Sequence, residues 1–412
     1  MHLSLRIASI IALLFSSCSA MVRFQVKNNP QNFKQVIDES IFNFGLNLNK
    51  LLVQHADQGE NVIFSPIGIY ASLALTHLGS NGETRKEIGN VMGLPSDSEI
   101  TYKLHENLGD MFKNLQIGVN ANVSFANGIF LQNGLQLKTS FQNQLKSYYN
   151  NQYVNVDFNS QDVIEKINSW FSVHTHDKIQ HFFEEGIPHD TRLLLANALC
   201  FCSDWDQVFP TETTQQETFE TGTGDHESIN MMHKTDTVPY YYNQEYHFES
   251  VAIPYKQSEY LMYVILPQEG QTLKNLSDIF TYQQIQQIIN ESTSTVVDIK
   301  VPQIKIKTSD KIKQILQQLG LNQLFETPDL SNMIDQSNLK LSQVSYSLEI
   351  QVDEQGTDVC AGTAQQYKVH DQQVQFVDAQ KQFYLQKPFM FFVYHPATKC
   401  VLFYGNVYQL SQ

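Results

Sequence analysis

The chain has 412 residues, 42% of them hydrophobic, and a formal net charge of −15. That apolar content suffices for a large core, and the acidic surplus excludes nucleic acid and anionic membranes as principal partners. Five cysteines in so long a chain also exclude a fold held mainly by disulfides.

The chain opens MHLSLRIASIIALLFSSCSA, with one arginine, an apolar run from Ile7 to Phe15 and a Cys-Ser-Ala ending. This predicts a secretory signal peptide over residues 1–20, cut after Ala20; the run is too short for a membrane anchor. Export to the extracellular space follows, and Cys200, Cys202, Cys360 and Cys400 remain after cleavage. Cys200 and Cys202 lack the spacing of zinc pairs and read as small apolar residues on one strand face, so no metal is expected. Asn122, Asn275 and Asn290 each begin an Asn-x-Ser sequon and are candidate glycosylation acceptors. No linker, charge block or repeat interrupts Met21 to Gln412, which predicts a single domain over residues 21–412.

Helices dominate early. Ile41, Phe42, Phe44, Leu46, Leu48, Leu51 and Leu52 predict a broad amphipathic helix. Ser65-Pro66 opens a second helix through Leu78, with serine as N-cap and proline in the first helical position. A third is predicted from Asp162 to Phe182 on the spacing of Ile164, Ile167, Trp170, Phe171 and Ile179. Strands dominate later: Val251–Pro254, Tyr260–Leu266, the alternating run Val297–Lys307, Pro388–Val393 and Val401–Tyr408. Between them Lys311–Leu319 returns to helix, closed by Gly320. This order indicates an α+β fold with mostly antiparallel sheets.

Enzymatic motifs fail one by one. Gly79-Ser80-Asn81-Gly82 lacks the spacing of a nucleophile elbow, and His105-Glu106 and His226-Glu227 lack the second histidine of a zinc-protease helix. No phosphate-binding glycine loop, dinucleotide fingerprint or Cys-x-x-Cys is present, so neither catalysis nor a cofactor is expected.

Several segments together resemble the serpin family across nearly the whole mature chain. FYLQKPFMFFV (Phe383 to Val393) fits the family's C-terminal signature at every position. NVIFSPIGIYASLALTHLGSNGETRKEI (Asn61 to Ile88), INSWFSVHTHDKI (Ile167 to Ile179), NALCFCSDWDQVF (Asn197 to Phe209) and VLFYGNV (Val401 to Val407) add to it. The resemblance implies three β-sheets (A, B and C) wrapped by eight or nine helices, an exposed reactive-centre loop at about residues 354–382, and suicide inhibition of serine proteases. A non-inhibitory carrier, storage or chaperone-like role is the alternative.

The run VDEQGTDVCAGTA from Val352 fits that loop's hinge. Glu354, Gly356 and Thr357 open it, and glycine supplies a pivot without a side chain. Thr357, Val359, Ala361 and Thr363 then share one face of a period-two strand, all small or β-branched. By resemblance, a protease cuts the loop and becomes acylated, and the freed side inserts as a new central strand of sheet A. Over some fifteen residues this drags the enzyme about 50 Å. The family's spacing from Glu354 places the cut at His370-Asp371, with Lys368 the alternative.

Three departures bear on inhibition: Val359 where inhibitors usually carry alanine, Tyr346 in place of a family histidine, and Gly68 in place of a serine. Ser65, Asn197 and Trp205 keep the family's residues beneath and above the sheet opening, and Tyr346 is expected to bond Asn197. Cys360 is expected to be a free thiol, since a disulfide would block insertion. The partner implied is an extracellular serine protease held covalently by a monomer. A glycosaminoglycan is not indicated: Lys103 and Lys113 are sparse, and Lys300, Lys305, Lys307, Lys311 and Lys313 straddle a strand and a helix.

Overall fold

The structure is a computed structural model, and it describes residues 33–94, 98–116, 122–150, 153–183, 186–188, 190–307, 312–335, 341–345, 348–359 and 379–410. Residues 1–20, Tyr346, Cys360, Ala361, Thr363, Lys368, His370 and Asp371 therefore lie outside the described residues.

The helices are α1 (Phe33–His55), α2 (Pro66–Gly79), α3 (Gly82–Val91), α4 (Ser98–Gln116), α5 (Thr139–Tyr149) and α6 (Val163–His174). After them come α7 (Leu273–Ile279), α8 (Tyr282–Glu291), α9 (Ile312–Gln318) and α10 (Gln323–Glu326). The strands are β1 (Val62–Phe64), β2 (Asn122–Gln132), β3 (Tyr153–Val156), β4 (Leu193–Asp204), β5 (Gln215–Glu220), β6 (His226–Asn243), β7 (Phe248–Pro254) and β8 (Leu261–Pro267). They continue with β9 (Thr293–Pro302), β10 (Ile304–Lys307), β11 (Leu341–Ser345), β12 (Glu349–Val352), β13 (Gly356–Val359), β14 (Lys381–Tyr384), β15 (Phe389–His395) and β16 (Cys400–Val407).

Among the described residues two hydrogen-bonded sheets result. One runs β10-β12-β13-β4-β2-β3 with β11 also on β4; the other runs β1-β16-β15-β8-β7-β6-β9-β14 with β5 on β6. The second merges two of the three sheets expected, because the long β6 pairs with β7 at one end and with β5 and β9 along the rest. Pairing is mostly antiparallel; β2·β3, β4·β11 and β9·β14 are parallel.

β4 is buried on both faces. Leu193, Leu195, Leu199 and Phe201 enter the main core with α1 and α2, while Leu194, Ala196, Ala198 and Cys200 pack on Ile167 and Phe171 of α6. Alternate side chains leave a strand on opposite faces, so a continuous apolar run must be covered twice. Ser65 caps α2 by accepting the Gly68 N–H at 3.1 Å, and every residue of that helix is buried.

Two predicted elements divide. The helix expected from Asp162 to Phe182 ends at His174, because His176 and Asp177 take left-handed conformations (φ 54° and 61°) that turn the chain back. Phe182 still reaches its helical neighbour, stacking on Phe171 at 4.0 Å, from a returning segment and not from a further turn. The run Val297–Lys307 breaks at Gln303 into β9 and β10, one in each sheet; its apolar phase changes there, from Val301 to Ile304.

Candidate functional site

The stretch beginning at Val352 is a β-hairpin. β12 and β13 pair antiparallel, Gln351 with Asp358 and Val352 with Thr357, and the Asp353 N–H closes on the Gly356 carbonyl at 3.0 Å. Glu354 and Gln355 form the turn. The Asp353 carboxylate braces it, accepting the N–H groups of Gln355 (2.9 Å) and Gly356 (3.2 Å). Burial pushes that carboxyl above its ordinary range, with the charges of Glu354 and Asp204 adding, against the two N–H donors.

The outer edge of this hairpin lies on β4. Gly356, Thr357, Asp358 and Val359 pair in register with Asp204, Ser203, Cys202 and Phe201. Gly356–Val359, the segment expected as a hinge, is thus a strand between β12 and β4. Glycine at 356 serves a closer purpose than a free pivot: a Cβ there would lie 2.1 Å from the Ser203 carbonyl oxygen. Thr357 and Val359 point into the core, 2% and 1% exposed, so the valine is seated without breaking register with Phe201. The Tyr255 hydroxyl donates to Thr357 Oγ1 at 2.7 Å, and its ring stacks on Trp205 at 4.5 Å. Complete burial pushes the Tyr255 hydroxyl far up, so it remains a neutral donor.

Three consecutive carbonyls of the turn are held from above. Trp205 Nε1 donates to Asp353 (2.9 Å), the Phe209 N–H to Glu354 (2.9 Å) and the Trp205 N–H to Gln355 (2.7 Å). The Glu354 carboxylate, buried at 9% exposure, accepts from Thr214 Oγ1 (2.6 Å) and twice from Gln303 Nε2 (2.9 and 3.0 Å). Gln303 reaches it because it sits at the break between β9 and β10.

Further down, β4 changes partner. Leu193, Leu195 and Ala196 pair in parallel with Leu341, Val344 and Ser345 of β11. Between the two ladders, Asn197 to Cys200 bond to β2 on one side and, among the described residues, have no strand partner on the other. This stretch of β4 is the slot between the two ladders. Beneath it Asn197 Nδ2 donates to Asn127 Oδ1 at 2.5 Å, while the buried Asn197 Oδ1 has no hydrogen-bond partner among the described residues. A Cβ on Gly68 would fall 2.5 Å from that oxygen, so the glycine makes room for the carboxamide.

Glu354, Gly356, Thr357, Val359 and Trp205 are thus brought to one corner, and Ser65 and Asn197 to a second cluster below it. Tyr255, Asp353, Thr214 and Gln303 carry much of the geometry, yet no motif marks them. Of the sequons, Asn275 and Asn290 are exposed on α7 and α8, and Asn122 opens β2. Cys200, Cys202 and Cys400 are buried and unbridged. Among the described residues no cluster of His, Cys, Asp or Glu could hold a metal, and no helix is long and apolar enough to cross a membrane.

Comparison with known proteins agrees with this geometry. The profile of one family, described as serpin (serine protease inhibitor), matches residues 39–410. An uncharacterised serpin-like protein of Methanosarcina mazei is 30% identical over 97% of this chain and 96% of its own. A leukocyte elastase inhibitor of Xenopus tropicalis is 31% identical over 84% of this chain and 92% of its own. Human thyroxine-binding globulin shares the fold with a TM-score of 0.82 at 19% identity, over 92% of this chain and all (100%) of that one.

Proposed function

The chain belongs to the serpin family, and from that premise we propose that it is a secreted inhibitor that traps serine proteases by loop insertion. One observation carries the reading: Gly356–Val359 already stands as a strand between β12 and β4, and below it Asn197 to Cys200 have, among the described residues, no second strand partner. Insertion is then the lengthening of an existing hairpin, whose costly first turn is already formed. Each further residue gains ladder bonds to two neighbours, at about 1 kcal/mol net per bond. A dozen or more such bonds give on the order of 10 kcal/mol, withheld while the loop is intact.

The chemistry belongs to the partner. The protease serine attacks the carbonyl of the cut residue and expels the following amine, forming an ester between loop and enzyme. In this reading the bond is His370-Asp371, with Lys368 the alternative, and the N-terminal fragment carries the ester into the sheet. Hydrolysis of that ester would free both proteins, so inhibition requires insertion to outrun it. Export through the segment 1–20 and glycosylation at Asn275 and Asn290, both exposed, complete the reading.

A glycosaminoglycan partner gains no support. Lys300 is paired with Glu217 at 2.6 Å, Lys113 with Asp110 at 3.3 Å, and Lys300 and Lys305 lie in different sheets. Human thyroxine-binding globulin bears the name of a ligand carrier; the seated Thr357 and Val359 favour insertion over that role here. Incubation with trypsin-, chymotrypsin- and elastase-like proteases tests the proposal. A covalent complex that survives boiling in detergent supports it, and cleaved chain alone from every enzyme that cuts the loop refutes it.

A further inference from the structure

The segment Trp205–Phe209 holds the hinge turn by three hydrogen bonds, yet it has no regular structure beyond one bridge between Trp205 and Tyr255. Backbone bonding to β7 fixes its start, where the Asp206 N–H donates to the Pro254 carbonyl at 2.9 Å, and the shape of the rest depends on the side chains around it. One of these is a cation in an unfavourable place. Lys234, on β6, has a side chain only 5% exposed. Its Nζ donates to the Gln207 carbonyl at 2.5 Å and to Asp236 Oδ2 at 2.9 Å, and lies 4.7 Å from the centroid of the Phe209 ring. Burial pulls this ammonium below the ordinary lysine range, while Asp236 and Asp206 favour its charged form.

A buried charge is expensive, and an apolar residue would fill the same space at less cost. The contacts of Lys234 show what the charge achieves. It fixes the middle of the segment through Gln207 and the end through Phe209, whose N–H holds Glu354. We infer that Lys234 is a positioning residue for loop insertion: its ammonium sets the segment whose donors hold the hinge turn in place. The inference rests on the inhibitory reading above. A fixed turn makes every residue added to β13 enter in the same register. A turn free to slip by one residue would send the polar face of the strand into the core, and insertion would lose its race with ester hydrolysis.

Hydrogen exchange of the full-length protein tests the placement, and the fate of the cut loop tests the consequence. Lys234→Met keeps the length and removes the charge; Lys234→Arg keeps a cation able to bond Gln207 and to stack on Phe209. In Lys234→Met, exchange at the Trp205 and Phe209 amides accelerates about tenfold or more while β15 and β16 stay as in wild type. Lys234→Arg returns those rates to within about threefold of wild type, and the milder Lys234→Gln falls between. With a protease that cuts the loop, the ratio of cleaved chain to covalent complex rises severalfold in Lys234→Met and recovers in Lys234→Arg. Unchanged exchange at Trp205 and Phe209 in both Lys234→Met and Lys234→Gln overturns the inference, as does acceleration spread equally over β15 and β16. If wild type forms no complex at all, the inhibitory reading fails, and the exchange rates alone decide whether Lys234 positions the segment.

Discussion

Replacing Gly356 by alanine places one methyl group against backbone. Its Cβ would lie 2.1 Å from the Ser203 carbonyl oxygen and 2.9 Å from the Asp204 Cα, neither of which can rotate aside. Restoring ordinary contact moves β13 off β4 by roughly 1 Å, a shift that close-packed interiors do not absorb freely. Overpacking of this kind costs about 1–3 kcal/mol, and each ladder bond lost adds about 0.5–1.5 kcal/mol. The register of all four residues, Gly356 to Val359, with β4 is at stake. A loss of about 2–4 kcal/mol lowers the ratio of seated to released hinge about 30- to 1,000-fold. Hydrogen exchange reports this directly, because the amides from Thr357 to Val359 lose protection in Gly356→Ala while β15 keeps its own. The yield of covalent complex falls with it. Full protection from Thr357 to Val359 in the variant would refute the reasoning, since it would mean that the approach of Gly356 to Ser203 does not seat the hinge.

Two further outcomes follow from buried polar groups. Gln303→Leu removes two of the three hydrogen bonds to the Glu354 carboxylate and leaves only Thr214; the expected cost is about 1–3 kcal/mol, read as a lower urea midpoint, and an unchanged midpoint contradicts it. Away from the hinge, His77 Nδ1 lies 3.2 Å from His105 Nε2, and His105 Nδ1 2.5 Å from the Tyr149 hydroxyl, joining α2, α4 and α5. Burial, with the Arg85 charge adding, pulls His77 down to about 3, and burial, with His77 and Arg85 adding, pulls His105 well below its usual range. The unfolded chain therefore takes up protons as pH falls below about 6.5 while the folded chain does not, so stability is lost from there toward pH 3, by up to about 1.4 kcal/mol per pH unit for each histidine. Urea midpoints at pH 7.5 and 5.0 show this drop in wild type and a smaller one in His77→Gln/His105→Gln; equal drops contradict it.

The sequence carried the fold where local chemistry and tertiary structure agree. Ser65-Pro66 announced α2 because a serine N-cap followed by proline has few other uses, and the apolar runs around Phe391 and Phe403 could only be buried strands. The helix from Asp162 failed where periodicity continued but the backbone did not. Ile179 and Phe182 keep helical spacing, yet Thr175 Oγ1 accepts the Ile179 N–H at 3.0 Å and fixes a reversal. The break at Gln303 was visible as a change of apolar phase, but a phase change does not say that the chain passes to another sheet. At the site, the composition of Val352 to Thr363 disclosed a strand fit for two environments. It could not disclose what holds Glu354 and Thr357 in place. That depends on Tyr255, which sits 102 residues from Thr357, and on Thr214 and Gln303, which sit 140 and 51 residues from Glu354, in places where local pattern says nothing.

Melting of the chain before and after a single cut in its reactive loop measures the stored free energy most directly. Completing the strand between β12 and β4 adds on the order of 10 kcal/mol of ladder and burial, and for a chain of this size each kcal/mol raises Tm by about 1–2 °C. The cut protein is expected to melt about 10 °C or more above the intact one, with those amides of Asn197 to Cys200 that face away from β2 newly protected from exchange. A cut chain that melts at or below the intact temperature, its slot still open to exchange, would contradict the central claim.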